Sequence, residues 1–377
     1  MGEFRKTIES VMYSAERTSA SPVAAALYGI STAYGAVQKM RAGCYRQKIL
    51  SAKRLACRVI SVGNITVGGT GKTPMTVFLS QKLKQEGCRV AIVSRGYKGR
   101  AQTRGGVVSD GDRLLMDSAQ AGDEPYMMAS RLPGIPVIVG KNRFEAGLLA
   151  VGKFKPDIIV LDDAFQHLQL KRDVDIVLMD HDRPLGNMHL LPRGILREPL
   201  TALQRAAGLV LTRCPDEAAG SAEASIAPLE SFLPQIPIFK SSFEPYCYAV
   251  AQGTPPLVSP ASHGSATRDL QDFKNRSVFG FSGIARNDDF RRTIDLLGFD
   301  LKGCLGFPDH HPYDQRDLQI IGRRAREAGA RHLITTEKDC ARLAGNGACP
   351  LDLVVVGVKA VFQDDGRKVI QFIRDRL

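Results

Sequence analysis

A chain of 377 residues with 44% hydrophobic content has the length for about two domains and the apolar content to fill their cores, which excludes a disordered chain. Its net charge of +12 favours anionic partners without choosing among nucleic acid, anionic lipid and phosphorylated substrates. Eight cysteines are scattered with no C-x-x-C, so metal-ligand spacing is absent and the thiols suit a reducing compartment.

The first 60 residues hold ten Lys/Arg against three Glu, so they alone supply +7 of the charge. Residues 18–38 carry no charge. Such a stretch has the length to span a bilayer, but five Ser/Thr, a proline and two glycines argue against it. Leu27, Tyr28, Ile30, Tyr34 and Val37 recur at helical spacing, and Lys39, Arg41, Arg46 and Lys48 follow. The pattern predicts an amphipathic helix lying in the plane of an anionic membrane surface. The competing reading is a helix packed on its own domain. The apolar run is too weak and too late for a secretory signal.

An apolar run at residues 59–62 feeds Gly63-Asn64-Ile65-Thr66-Val67-Gly68-Gly69-Thr70-Gly71-Lys72-Thr73-Pro74, and a helical pattern follows over residues 75–86. Strand, glycine-rich loop and helix, in that order, make a phosphate-binding loop. Thr66, Val67, Gly68, Gly69, Thr70 and Gly71 turn successive N–H groups toward one anion, and the helix N-terminus adds partial positive charge. Lys72 reaches the outer phosphates, and the Thr73 hydroxyl is placed to hold Mg²⁺. Pro74 fits the first helical turn, where its missing N–H costs nothing. The strict pattern wants glycine at position 66; the Gly68-Gly69 doublet supplies the lost backbone freedom. The loop points to a nucleoside triphosphate.

Strand-like runs follow at residues 89–94, 107–109, 136–139, 157–161, 175–179 and 208–211, split by helical patterns such as 124–131. This alternation predicts an α/β fold, a P-loop NTPase-like and mostly parallel sheet with helices on both faces. Residues 213–275 shift to Ala/Ser/Glu- and Pro-rich composition, with Gly253-Thr254-Pro255-Pro256 and Ser259-Pro260, and read as a linker or hinge. Alternation then resumes, with strands at 277–281, 332–335 and 353–358 and helices near 288–297, 316–328 and 368–377. The expected domains are a basic membrane-associating segment at 1–50, a P-loop domain at 51–236, a linker at 237–276 and a smaller α/β domain at 277–377.

Several constellations carry chemistry. The run ending in Asp162-Asp163 places paired carboxylates at a strand end, where a nucleotide kinase needs an acid for Mg²⁺ or its water; a helix cap is the plainer role for Asp163. Asp123 and Glu124 open a predicted helix, where acids ordinarily cap and where a carboxylate can also take a proton from a hydroxyl. His310 and His311 share a proline-bounded loop, and local hydrogen bonding is their default. The basic clusters Lys141-Asn142-Arg143 and Arg193-Gly194-Ile195-Leu196-Arg197 suit a phosphorylated substrate or solvated surface.

Taken together, the loop, Ser94-Arg95-Gly96-Tyr97, Gly122-Asp123-Glu124-Pro125, Asp162-Asp163-Ala164-Phe165-Gln166-His167, Leu190-Leu191-Pro192-Arg193-Gly194, Leu196-Arg197-Glu198-Pro199, Phe281-Ser282-Gly283-Ile284-Ala285, Asp309-His310 and Thr335-Thr336-Glu337-Lys338-Asp339 resemble the tetraacyldisaccharide 4′-kinases of Gram-negative lipid A synthesis. The resemblance runs from about residue 20 to 360. That family also begins its loop with Thr, and often has glycine where Ala164 stands. The resemblance implies ATP and Mg²⁺, transfer of the γ-phosphoryl to the 4′-hydroxyl of a tetraacyldisaccharide 1-phosphate, and a peripheral protein on the cytoplasmic face of the inner membrane; a monomer is expected. It further implies Asp123 as base oriented by His310 (chosen over His311), Lys72 and Thr73 on phosphates and metal, Asp162 and Asp163 serving the metal, and Arg197, Glu198 and His167 lining the site. Closure of the second domain on the first is then expected to bring His310 to Asp123. The alternative is a P-loop regulatory ATPase, which needs no base for a sugar hydroxyl. Nucleic acid is not expected as a partner, since no recognised module accompanies the charge.

Overall fold

A computed structural model describes residues 8, 10–13, 21–215, 232–252, 274–284, 287–343 and 348–377. In chain order the strands are β1 (Arg58–Asn64), β2 (Val90–Ser94), β3 (Gly106–Ser109), β4 (Val137–Val139), β5 (Ile158–Asp162), β6 (Val174–Asp180), β7 (Gly208–Thr212), β8 (Ile238–Lys240), β9 (Ser242–Val250), β10 (Ser277–Ser282), β11 (Asp300–Gly306), β12 (His332–Thr336) and β13 (Asp352–Val361). The helices are α1 (Pro22–Arg46), α2 (Lys72–Gln85), α3 (Ser118–Ala121), α4 (Asp123–Arg131), α5 (Arg143–Phe154), α6 (Asn287–Leu296), α7 (Gln315–Glu327), α8 (Glu337–Leu343) and α9 (Arg367–Arg374).

The chain divides into two units. Residues 1–90, 151–243 and 360–377 form the first, and residues 91–150 and 244–359 the second. This division is not sequential, whereas the sequence reading kept residues 51–236 together. Residues 91–150 group with the later segment because α4 packs on α8, with Arg131 paired to the buried Glu337 at 3.2 Å.

In the first unit the strand order is β5-β1-β6-β7-β8, and every neighbouring pair is parallel. β5, β7 and all but the first residue of β1 are buried, so both faces are covered, as parallel sheets require. Helix α2 lies on β1 and β5, burying Met75, Val77, Leu79 and Leu83. A core of Ile65, Phe165, Val177, Met179, Leu196 and Leu209 sits under the loop that joins β1 to α2.

In the second unit β4 pairs in parallel with β2 and antiparallel with β3, and a separate five-stranded sheet runs β11-β10-β12-β13-β9. Its apolar core includes Val278, Phe290, Ile294, Ile334 and Val354. Helix α7 buries Leu318, Ile321, Gly322 and Ala325, spaced as an amphipathic helix requires, and Asp314 opens it with a capping box to Asp317.

The predicted α/β architecture, the second sheet and the N-terminal helix are all present. One expectation is corrected: residues 237–276 are not simply linker. Strands β8 and β9 occupy their first part, and Cys247, Tyr248 and Val250 of β9 are buried. The Gly253-Thr254-Pro255-Pro256 and Ser259-Pro260 segments lie outside the described residues.

Helix α1 packs on its own unit through one stripe and leaves apolar residues exposed. Ala24, Leu27, Ser31 and Gly35 form its buried stripe. The Ser31 hydroxyl donates to Leu190 O at 2.8 Å, and Gly35 lies so close to Leu190 that a β-carbon would come within 2.6 Å of its side chain. Tyr28, Ile30, Val37 and Met40 remain exposed. Among the described residues, no helix is long and apolar enough to cross a membrane.

Candidate active site

The phosphate loop of the first unit leaves β1 at Asn64 and enters α2 at Lys72. Gly68 and Gly71 adopt φ of +114° and +81°, the left-handed region that glycine enters without a Cβ penalty. A β-carbon on Gly71 would also collide with the Phe243 ring. The loop is held from below. Asn64 Nδ2 donates to Thr70 Oγ1 at 3.0 Å, Thr212 Oγ1 donates to Thr70 O at 3.1 Å, and Val67 N donates to Ile195 O at 2.8 Å. Thr66 forms a bridge with Leu196, so a main-chain contact rather than a glycine fixes the loop's first position.

The expected carboxylates lie at the end of β5. Asp162 is buried and accepts from Thr76 Oγ1 of α2 at 3.2 Å. Asp163 stands at φ +47° and meets two cations, Arg197 Nη1 at 2.8 Å and Lys72 Nζ at 3.8 Å. Arg197 Nη1 also donates to Asn64 Oδ1 at 2.9 Å, and its main-chain N donates to Ile65 O at 2.7 Å. The fork thus ties the loop to the carboxylate. Thr73 is buried in the first turn of α2. His167 is half-buried on the same turn as Asp163, and its carbonyl takes Arg172 Nη1 at 2.7 Å.

Glu198 is buried. Its Oε2 accepts from Arg205 Nη2 at 2.8 Å, while its Oε1 has no hydrogen-bond partner among the described residues. A buried, orphaned carboxylate oxygen asks for a ligand or an ordered water. The Thr73 hydroxyl and the Asp162 and Asp163 carboxylates are hard oxygen donors, the kind that suits Mg²⁺ completed by waters and phosphates.

Two residues expected at the substrate are buried. Arg193 and Arg143 are 2% and 3% exposed, not surface cations. Arg193 Nη1 donates to Val11 O at 3.2 Å, and Arg143 Nη1 to Gly140 O at 3.1 Å. A buried guanidinium must find such acceptors, and a basic cluster in a sequence does not reveal that it is buried.

In the second unit, Gly122 at φ +89° turns the chain so that Asp123 opens α4; a β-carbon there would sit 2.7 Å from Tyr97 O. His310 Nδ1 lies 3.0 Å from Asp123 Oδ2, and since a carboxylate only accepts, the imidazole donates. Arg342 Nε donates to the same oxygen at 2.7 Å. Burial alone would raise the Asp123 carboxyl, but the His310 hydrogen bond and the Arg342 charge together hold it below the usual carboxylate range. His311 is committed elsewhere, with Nε2 on Asp317 Oδ2 at 2.8 Å. Glu124 pairs with Lys338 at 2.5 Å.

The closure expected to form the Asp123–His310 pair is not needed, because both residues belong to one unit and are already bonded. Sequence reasoning assigned no role to Asn64 and did not single out Arg342. The signals were present: Asn64 ends the strand feeding the loop, and Arg342 follows Asp339 by one helical turn.

The family model described as tetraacyldisaccharide-1-P 4′-kinase matches residues 23–377. A tetraacyldisaccharide 4′-kinase of Desulfatibacillum aliphaticivorans is 39% identical over 383 aligned positions, covering 100% of this chain and 99% of the relative. One from Pelobacter propionicus is 42% identical over 319 positions, covering 85% of this chain and 83% of the relative. The crystal structure of LpxK from Aquifex aeolicus in complex with ATP superposes with a TM-score of 0.72 at 31% identity, covering 94% of this chain and 99% of that one.

Proposed function

The chain belongs to the tetraacyldisaccharide-1-P 4′-kinase family and phosphorylates the 4′ position of a lipid A precursor with ATP; on that premise we propose how its residues do so. The observation that carries the proposal is the Asp123–His310 pair, which a regulatory ATPase would not need.

The N–H groups from Thr66 to Gly71 cradle the phosphates, and Lys72 neutralises the outer ones. Thr73, Asp162 and Asp163 would hold Mg²⁺ directly or through its waters, and Glu198 lines the site. Bound there, Mg²⁺ neutralises charge that develops on the transferred phosphoryl group. Arg197 keeps Asp163 and the loop in register and adds positive charge beside the phosphates. His167 lines this end.

Asp123 accepts the proton of the 4′-hydroxyl, and His310 orients the carboxylate and stabilises its charge. A base weaker than usual is adequate, because a loose phosphoryl-transfer transition state leaves that proton largely in place until late. The protein acts as a peripheral monomer on the cytoplasmic face of the inner membrane. Supporting this, α1 exposes Tyr28, Ile30, Val37 and Met40 while its Tyr34 hydroxyl donates to Arg197 O at 2.8 Å, linking the apolar surface to the phosphate end.

Calorimetric titration with Mg²⁺-ATP, run beside a transfer assay, tests these roles. Asp123→Asn is expected to bind ATP as the wild type does and to transfer about 10²- to 10⁴-fold more slowly. Lys72→Ala is expected to lose ATP affinity. Wild-type transfer by Asp123→Asn would remove the base assignment.

A further inference from the structure

Resting on the reading of Asp123 as base, we propose that Arg342 is a positioning residue for that carboxylate, held in place by the Thr335-Thr336-Glu337-Lys338-Asp339 segment. Neither that segment nor the Phe281-Ser282-Gly283 turn has a role assigned above, and their bonding converges on Arg342.

The Arg342 side chain is 5% exposed. Nη1 donates to Gly283 O at 2.7 Å and to Asp339 Oδ1 at 2.9 Å, and Nε donates to Asp123 Oδ2 at 2.7 Å. Asp339 is fully buried and is itself fixed by Gly283 N at 3.0 Å, Tyr313 OH at 2.9 Å and Thr336 Oγ1 at 2.6 Å. One edge of the guanidinium is therefore anchored, and its Nε is aimed. Gly283 O also accepts from the main-chain N of His310 at 3.0 Å. One carbonyl thus registers both donors that meet Asp123 Oδ2.

Two donors on one oxygen fix the rotation of the carboxylate. Both donors meet Oδ2, which leaves Oδ1 as the oxygen to receive a proton. The charged groups around Asp123 are His310, Arg342 and Lys338, with Glu124 beside it on α4 and Asp339 behind Arg342. A buried arginine shared by two carboxylates is a weak stability device on its own, because its desolvation offsets its attraction. A functional role accounts better for a fork aimed so narrowly.

The test compares wild type, Arg342→Gln, Arg342→Lys and Asp123→Asn, each as the full chain with its melting temperature recorded. Arg342→Gln is expected to lower kcat by about a hundredfold, the scale of a misplaced reacting group, with KM for ATP unchanged. Its acid limb of kcat/KM is expected to move up by about one to three pH units, the effect of losing an adjacent cation. Arg342→Lys is expected to return the acid limb toward wild type while kcat stays low, since an ammonium restores the charge but not the fork. In the Asp123→Asn background, Arg342→Gln is expected to cost nothing further.

A folded Arg342→Gln with wild-type kcat and an unmoved acid limb, beside an inactive Asp123→Asn, overturns this inference and leaves the base reading standing. An active Asp123→Asn overturns both. If Arg342→Gln fails to fold, Arg342→Lys decides: lowered kcat at constant KM for ATP supports the inference, and wild-type kcat overturns it.

Discussion

His310 donates from Nδ1 to Oδ2 of Asp123 at 3.0 Å across 187 residues of sequence. The imidazole is held there by a turned backbone, with φ at +63°, and by its own main-chain bond to Gly283. The pair is a property of one folded unit.

The pair should behave as a unit in kinetics. Asp123→Asn and His310→Gln are each expected to lower the transfer rate by about 10²- to 10⁴-fold, the range for general acid–base groups. The double variant is expected to be no worse than the poorer single one. Multiplicative losses in a full double-mutant cycle would mean that the two residues act separately.

The Asp123 carboxyl also links the fold to pH. Its value is lowered in the folded protein, so its ionised form stabilises the fold above the ordinary carboxylate value. That contribution is lost as the pH falls through the lowered, folded value. The melting-temperature gap between wild type and Asp123→Asn should therefore be wide at neutral pH and narrow in acid. A gap that widens in acid would contradict the sign.

Gly71 carries two constraints, a φ of +81° and the Phe243 ring against its α-carbon. Gly71→Ala is expected to destabilise the protein by about 1–3 kcal/mol, the range for a strained left-handed residue, and to weaken ATP binding. Denaturant unfolding and ATP titration check both. Gly29 has open space around it and ordinary backbone, so Gly29→Ala, a helix-interior change, is expected to stabilise by about 0.5–1 kcal/mol.

How much of this could be read from the sequence depended on range. The phosphate loop was legible because its strand, glycines and helix are contiguous, and Lys72 and Thr73 stand where that order puts them. Asp162 and Asp163 were legible as a strand end. The partnership of Asp123 with His310 came through resemblance, since no local pattern links residues so far apart. Arg342 was not legible: an arginine one turn after Asp339 looks like an ordinary helical pair, and only the tertiary fold aims it at Asp123. The burial of Arg193 and Arg143 was not legible either, because charge in a loop sequence says nothing about burial. The strands β8 and β9 were hidden by neighbouring proline-rich composition.

The exposed side of α1 gives a prediction for membranes. Ile30 and Met40 are 56% and 67% exposed, so Ile30→Asp and Met40→Asp should leave the fold and the melting temperature unchanged. Both are expected to reduce cosedimentation with vesicles containing anionic lipid, because an inserted apolar face is replaced by charge. Undiminished binding by the double variant would place the lipid contact elsewhere.

The kinase chemistry is tested by transfer of label from γ-labelled ATP to a tetraacyldisaccharide 1-phosphate in detergent with Mg²⁺. Label is expected at the 4′ position with the wild type and at least about 10²-fold less with Asp123→Asn, although that variant still binds ATP. Hydrolysis of ATP without labelled lipid by the wild type, where a known kinase labels the same substrate, would contradict it.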